Sequence, residues 1–199
     1  MARARARGSS TADITGQIVQ LDQSVRLWVV LHRIAALNPV LWGASVVGRG
    51  GIVWLAIGVT LAATHRLRPW ALIELALAIL LATLLADHLL KPIVARERPF
   101  TSTPDSPVIG GRPQDASFPS GHTANAFAGA FVLSRVVPST RIGWWAMAAV
   151  IAYSRIYLGV HYPLDVLAGA LIGCACGAMA GRLIARATMT NATRSRGES

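Results

Sequence analysis

Charged side chains are scarce in this chain: 14% of its 199 residues are Asp, Glu, Lys or Arg, against roughly 25% in a soluble domain. That shortage excludes a disordered, highly charged chain and one that wraps nucleic acid. Acidic residues are the scarcer sign, 9 against 19 basic, and lysine is almost missing, Lys91 standing alone among arginines. Codon bias in a GC-rich genome is the plain explanation of Arg over Lys. Cysteine is limited to Cys174 and Cys176. Two apart on a helix they point to different sides, so they neither pair nor supply a metal set, and they read as small packing residues. No His, Cys, Asp and Glu grouping has metal-ligand spacing, so no metal or other cofactor is expected. No compact apolar core with a small-residue cleavage site follows the alternating Ala and Arg of residues 1–10, so a cleaved signal peptide is not expected.

Apolar residues fill the space that charge leaves. They make up 53% of the chain, the mean hydropathy is +0.49, and the length suits one domain. Five apolar segments run over about 51–64, 70–90, 122–137, 142–157 and 164–184. A bilayer core needs ~20 helical residues, so the first and fourth must borrow flanking residues. Ahead of them Ile14, Ile18, Leu21, Val25, Trp28 and Val29 recur at helical spacing, with Gln17, Gln20, Asp22, Gln23 and Arg26 filling the other face. That pattern suits a helix lying in the membrane interface. The alternative is a poor first span, because 27–37 is apolar apart from His32 and Arg33. The expected fold is therefore all-α, a polytopic transmembrane helical bundle with five spans plus an N-terminal interfacial helix, or six spans. A membrane-embedded domain over 14–186 is expected between polar, disordered tails at 1–13 and 187–199.

The net charge of +10 collects at the ends of the apolar runs, as it does beside anionic lipid or around an anionic ligand. With five spans, 65–68, 135–141 and the tail from Arg182 share one side, while the loop 92–119 and the turn 155–161 share the other. Leaving aside residues assigned to chemistry, the first side is the more basic and is expected to be cytoplasmic. The second side then faces outward. Arg3, Arg5 and Arg7 conflict with an outside N-terminus, and six spans would remove the conflict.

Chemistry concentrates in three clusters near the outward face. The loop 92–119 holds six prolines and Gly110-Gly111, which exclude a continuous helix; long loops of this kind are functional or disordered. At its start Lys91, Arg96 and Arg98 put three cations where a helix leaves the membrane, although snorkelling alone explains such residues. At its end Pro119-Ser120-Gly121-His122 opens a helix. Unpaired N–H groups there make an anion site, Ser120 can cap the turn, Gly121 lets a ligand approach, and His122 projects beside it. A plain N-cap with an incidental His is the competing reading. The third cluster is Ser154-Arg155 followed by His161 and Asp165. Pro163 suits the first helical position, which puts Asp165 in the first turn near His161. A carboxylate on one ring nitrogen leaves the other free to attack, whereas a His–Asp helix cap is the bland alternative. Cations, a helix N-terminus, a base–carboxylate pair and a second His together meet the demands of phosphoryl transfer.

These residues carry a resemblance. Lys91-x6-Arg98-Pro99, Pro119-Ser120-Gly121-His122 and Ser154-Arg155-x5-His161-x3-Asp165 are similar to the three signatures of the type 2 phosphatidic acid phosphatase (PAP2) family, with all eleven specified positions matching in order. The resemblance implies that His161 is the nucleophile of a phosphohistidine, that Asp165 orients it, and that His122 protonates the leaving group and then activates water. It implies phosphate-binding roles for Lys91, Arg98, Ser120, Gly121 and Arg155, with no metal. The substrate expected is a lipid-linked phosphate or diphosphate, with a polyprenyl diphosphate such as undecaprenyl diphosphate favoured over phosphatidylglycerophosphate and phosphatidic acid. The expected place is a bacterial cytoplasmic membrane with the site on the extracytoplasmic face. A non-catalytic lipid-phosphate binding or transport protein on the same scaffold is the alternative. A vanadate-dependent haloperoxidase uses a similar cradle but is soluble and larger.

The remaining polar residues take plainer readings. Asp87 lies four before Lys91 and suits an i,i+4 pair; Glu74 and His88 read as packed or hydrated helix residues. Asp115 suits a cap before the second signature, and Arg96 and Arg112 suit head-group contacts or solvated charge. Gly169, Gly173, Gly177 and Gly181 recur every four residues, a smooth stripe for packing inside the bundle or, alternatively, for a homodimer.

Overall fold

The computed structural model describes residues 11–103 and 106–197, with side chains from 13 to 190. Nine α-helical segments follow one another among the described residues: α1 (Thr11–Leu31), α2 (Asn38–Val47), α3 (Ile52–Ala63), α4 (Pro69–Thr83), α5 (Lys91–Val94), α6 (Pro99–Ser102), α7 (Gly121–Val136), α8 (Arg141–Tyr157) and α9 (Pro163–Gly197). There is no strand among them. Prolines start several of these helices, at Pro69, Pro99 and Pro163, where the missing N–H costs no helical hydrogen bond.

α7 is the axle of the bundle and packs against α4, α8 and α9. Its Ala124, Ala126, Ala128, Gly129 and Ala130 are all buried, because small residues let neighbouring backbones come close. Trp54 of α3 lies over Gly129, where even a methyl would collide with the indole. The glycine stripe of α9 is spent in the same way: Gly169, Gly173 and Gly177 lie against Ser120, Ala124, Ala128 and Phe131 of the α7 region, and Gly181 against Arg135. The stripe therefore packs inside the bundle, the first of the two uses read from sequence. A Cβ at Gly173 would strike the Ala124 carbonyl and the Ala128 amide, which are backbone and cannot step aside. Gly173→Ala is expected to lose about 1–3 kcal/mol of stability, whereas Gly143→Ala, where nothing lies within 4 Å, gains up to ~1 kcal/mol of helix propensity. Thermal unfolding of the detergent-solubilised variants separates the two.

Among the described residues two runs are long and apolar enough to cross a bilayer, Pro69–Ser102 and Pro163–Thr190, and the pair Asp13–Leu31 and Ala35–Val47, bent by 97°, makes a third if it counts as one span. Arg49–Ala63, which includes α3, is a shorter apolar helix beside them, and α7 and α8 have 16 and 17 residues. In α1 two polar residues turn inward: Asp22 and Arg26 are buried, while Ile14, Ile18, Leu21, Val25 and Trp28 are exposed, as are Gln17, Gln20 and Gln23. The reason is tertiary: Asp22 accepts from the Leu164 amide and from Arg96, and Arg26 donates to Ser106. Arg33, just beyond α1, donates to the Tyr157 carbonyl. These partners all lie at one end of the bundle, so α1 runs across that end.

α9 continues to Gly197, and α1 already includes residues 11–13. The backbone is therefore helical through much of the stretch read from sequence as a C-terminal tail. Ala185, Ala187 and Met189 are good helix formers, and no Gly or Pro interrupts 182–196. Residues 1–10 and 198–199 of the expected tails lie outside the described residues.

Candidate active site

Three chain reversals bring the motif residues to one end of the bundle. α4 passes through a π-helical turn at Leu84–Leu90 into α5, a widening common at functional sites. α5 ends at Ala95, whose φ of 47° lies in the left-handed region. That bend sends Arg96 and Arg98 back toward the bundle. α7 and α9 start side by side, tied by the Ser120 amide to the Asp165 carbonyl at 3.0 Å.

Between these ends lies a cavity of about 220 Å³ lined by Lys91, Arg98, Gly121, His122, Arg155 and His161, with Asp115 at its wall. Six of the eight residues singled out from sequence thus share one space, both imidazoles among them. The other two stand behind it. Ser120 is fully buried and makes no side-chain cap; its hydroxyl accepts from Thr123 at 3.0 Å. Asp165 is buried beneath His161, its Oδ2 3.3 Å from Nδ1. Gly121, in the cavity wall, also makes room for an internal neighbour. A Cβ there would collide with the Asp87 carboxylate, which pairs with Lys91 at 2.6 Å.

His161 is held from three directions. Nδ1 faces Asp165 and, at 3.5 Å, the Ser117 hydroxyl. Nε2 lies 3.3 Å from an Arg98 guanidinium nitrogen. Asp165 in turn accepts from Ser117, from the Tyr162 amide at 2.9 Å and from Arg96 at 2.7 Å. Burial pushes the His161 imidazole below its ordinary value; Asp165 opposes this and the Arg98 and Arg155 charges add to it. The ring is therefore neutral near pH 7, with Nδ1 oriented by a carboxylate and Nε2 directed to the cavity, as a nitrogen nucleophile requires.

The supporting shell is where sequence reasoning fell short. Arg96 is no solvated charge: it bridges Asp22 at 2.6 Å and Asp165 at 2.7 Å, two carboxylates almost wholly buried, and lies 4.0 Å from the Tyr162 ring centre. Ser45 accepts from Arg155. Neither Asp22, Ser45 nor Ser117 carries a local signal, because each is recruited from a separate segment.

Asp115 does more than cap a turn. Its carboxylate pairs with Lys91 and with Arg98 at 2.9 Å, while the Arg98 Nε donates to its carbonyl at 2.8 Å. Burial alone would raise this carboxyl, but the Lys91 bond and charge, with Arg98, hold it at about 2. An anion entering the cavity has to displace it from both cations. Asp115→Asn is accordingly expected to tighten inhibition by orthophosphate or vanadate roughly tenfold. Unchanged inhibition constants would show that the carboxylate does not compete.

Among the described residues no three His, Cys, Asp or Glu side chains converge to hold a metal ion. A cation-lined cleft with two imidazoles, set at one end of an apolar helical bundle, defines a membrane-embedded enzyme that handles phosphoryl groups. The chain belongs to the PAP2 superfamily, whose family model matches residues 70–189. It is 34% identical over 147 residues to an undecaprenyl-diphosphatase of Sulfolobus acidocaldarius, covering 71% of this chain and 68% of that protein. It spans about half the length of the lipid A 4'-phosphatases it also matches. Among solved structures, LpxE of Aquifex aeolicus aligns with a TM-score of 0.69 and 30% identity, over 81% of this chain and 95% of that one. The PAP2-type phosphatidylglycerolphosphate phosphatase of Bacillus subtilis aligns with a TM-score of 0.71 and 26% identity, over 88% and 90%. The chain is thus a membrane phosphatase of this superfamily.

Proposed function

We propose that this phosphatase hydrolyses a lipid-linked phosphate, with a polyprenyl diphosphate of the undecaprenyl type as its substrate, by double displacement through His161. One observation carries the reading: a buried neutral imidazole, held at Nδ1 by Asp165, presents Nε2 beside Arg98 in the cavity that His122 shares. Nε2 attacks the terminal phosphorus while Lys91, Arg98 and Arg155 hold its oxygens. His122 protonates the departing oxygen, and then takes a proton from the water that releases orthophosphate. The first relative named above supports the diphosphate. The basic turns at 65–68 and 135–141 lie at the far end from the cleft, which supports a cytoplasmic far end and a cleft on the outer face of a bacterial cytoplasmic membrane.

Phosphate release by the purified protein in detergent, across undecaprenyl diphosphate, undecaprenyl phosphate, phosphatidylglycerophosphate and phosphatidic acid, tests this reading. The diphosphate is expected to have the highest kcat/KM, undiminished by a metal chelator. A monophosphate preferred over it would overturn the substrate, and loss of activity in chelator would overturn the metal-free mechanism. Release from none of the four would favour a lipid-phosphate binding protein instead.

A further inference from the structure

The central cavity does not end at His122. A second cavity of about 330 Å³ adjoins it, and the two share Arg49, His122 and Arg155 in their walls. The three signature motifs account for the first space and leave most of the second unassigned. Part of its wall is cationic. Arg49, just after α2, and Arg112, in the long loop, are exposed, and neither has a carboxylate partner among the described residues. Arg155 stands between the cavities: one guanidinium nitrogen donates to Ser45, while its buried Nε has no hydrogen-bond partner among the described residues. Another part of the wall is apolar, formed by Trp42 and Val46 of α2 with Ile109 and Leu158.

Arg49 is held in place by its backbone. Gly50 and Gly51 follow it with φ of 60° and 71°, a left-handed pair that glycine adopts at no steric cost. Gly51 is pressed so close to α4 and α7 that a Cβ would lie 2.7 Å from Ile79. The turn therefore fixes where the Arg49 side chain begins.

We propose that this second cavity seats the lipid-side phosphate of a diphosphate, with Arg49 and Arg112 as its counter-ions. The proposal rests on the polyprenyl diphosphate reading above and assigns the residues that would select it. From His161 outward, the terminal phosphorus comes first, then the bridging oxygen at His122, then the lipid-side phosphate between the two arginines. The first isoprene unit lies against Trp42 and Val46. As Nε2 of His161 bonds the terminal phosphorus, the bond from that phosphorus to the bridging oxygen breaks. The electron pair stays on that oxygen, which takes a proton from His122 and leaves as part of the lipid monophosphate. Water then attacks the phosphohistidine, the phosphorus–nitrogen bond breaks, His122 receives the proton, and orthophosphate departs. A monophosphate substrate would place an uncharged alcohol in the second cavity, where two guanidiniums have nothing to hold. A site that offers two cations to a charged phosphate discriminates through that difference.

The test uses purified full-length protein in detergent with farnesyl diphosphate and farnesyl monophosphate, in wild type, Arg49→Gln, Arg112→Gln and the double variant. The ratio of kcat/KM for diphosphate over monophosphate is expected to fall at least tenfold in the double variant and to be retained in Arg49→Lys. Inorganic pyrophosphate is expected to inhibit wild type at least tenfold more tightly than orthophosphate, and the double variant to lose that margin. An unmoved ratio, or a parallel loss on both substrates, overturns the assignment. If wild type cleaves only the monophosphate, the substrate reading fails, and the inhibition arm then judges the cavity alone. Pyrophosphate binding wild type no tighter than orthophosphate would overturn it.

Discussion

His161→Ala is expected to lower phosphate release at least about 10⁴-fold, because no other side chain is placed to take its part. The neighbours are all committed elsewhere: Arg98 donates to the Val160 and Asp115 carbonyls, and Ser117 is bonded to Asp165. The loss should fall on kcat, since the cations that hold phosphate remain. Folding is a separate matter, because the ring is fully buried and its removal leaves a cavity. His161→Asn, which keeps a polar group toward Asp165, should be equally inactive yet closer to wild type in thermal stability. A stable variant with more than about a hundredth of the wild-type rate would remove His161 from the nucleophile's place. The intermediate offers a second readout. His122→Ala, presented with a phosphate ester whose leaving group needs no protonation, is expected to accumulate acid-labile phosphoprotein, and the label should vanish when His161 is also replaced.

The largest structural penalty is expected at a residue that touches no substrate. Arg96→Ala leaves Asp22 and Asp165 facing each other with no cation between them, at side-chain exposures of 1% and 0%. Stranding one partner of a buried ion pair costs about 3–5 kcal/mol, and here two carboxylates are stranded. Thermal unfolding in detergent should show the loss directly. Asp22→Asn in the same chain should restore part of it, since one negative charge disappears while the Asn oxygen can still accept the Leu164 amide. Failure of that rescue would mean that packing against Tyr162, and not charge, makes Arg96 necessary. Activity should fall with stability in the single variant, because Asp165 also orients His161.

These two expectations stand on residues of different legibility. His161, Asp165 and Pro163 lie within five positions, and the helix they begin is written locally: proline at its start and aspartate in its first turn. The i,i+4 pair of Asp87 and Lys91 is of the same kind. Arg96 could not be read that way. Its partners are 74 and 69 positions distant, and an arginine at a helix exit looks the same whether it meets lipid, water or a buried carboxylate. α1 is legible only in part for a related reason. An amphipathic pattern says that two faces differ, and in water the polar one turns out. In lipid, with a polar cleft to line, Asp22 and Arg26 turn in and the apolar face is left exposed.

Sequence alone determined what each segment is made of and what chemistry its ends can carry: apolar helices in lipid, prolines and glycines at their reversals, and eleven motif positions in order. Such properties depend on neighbours a few residues apart, where spacing fixes which groups can meet. Only the tertiary structure decided which charges would be neutralised and by whom: Arg96 by Asp22 and Asp165, Lys91 by Asp87 and Asp115, Arg98 by Asp115, while Arg155 donates to the neutral Ser45 hydroxyl. Neutralising a buried charge is a matter of a few ångströms in space, and no periodicity along the chain records that distance. Among the described residues, the same packing gave Arg49 and Arg112 no carboxylate partner beside the cleft.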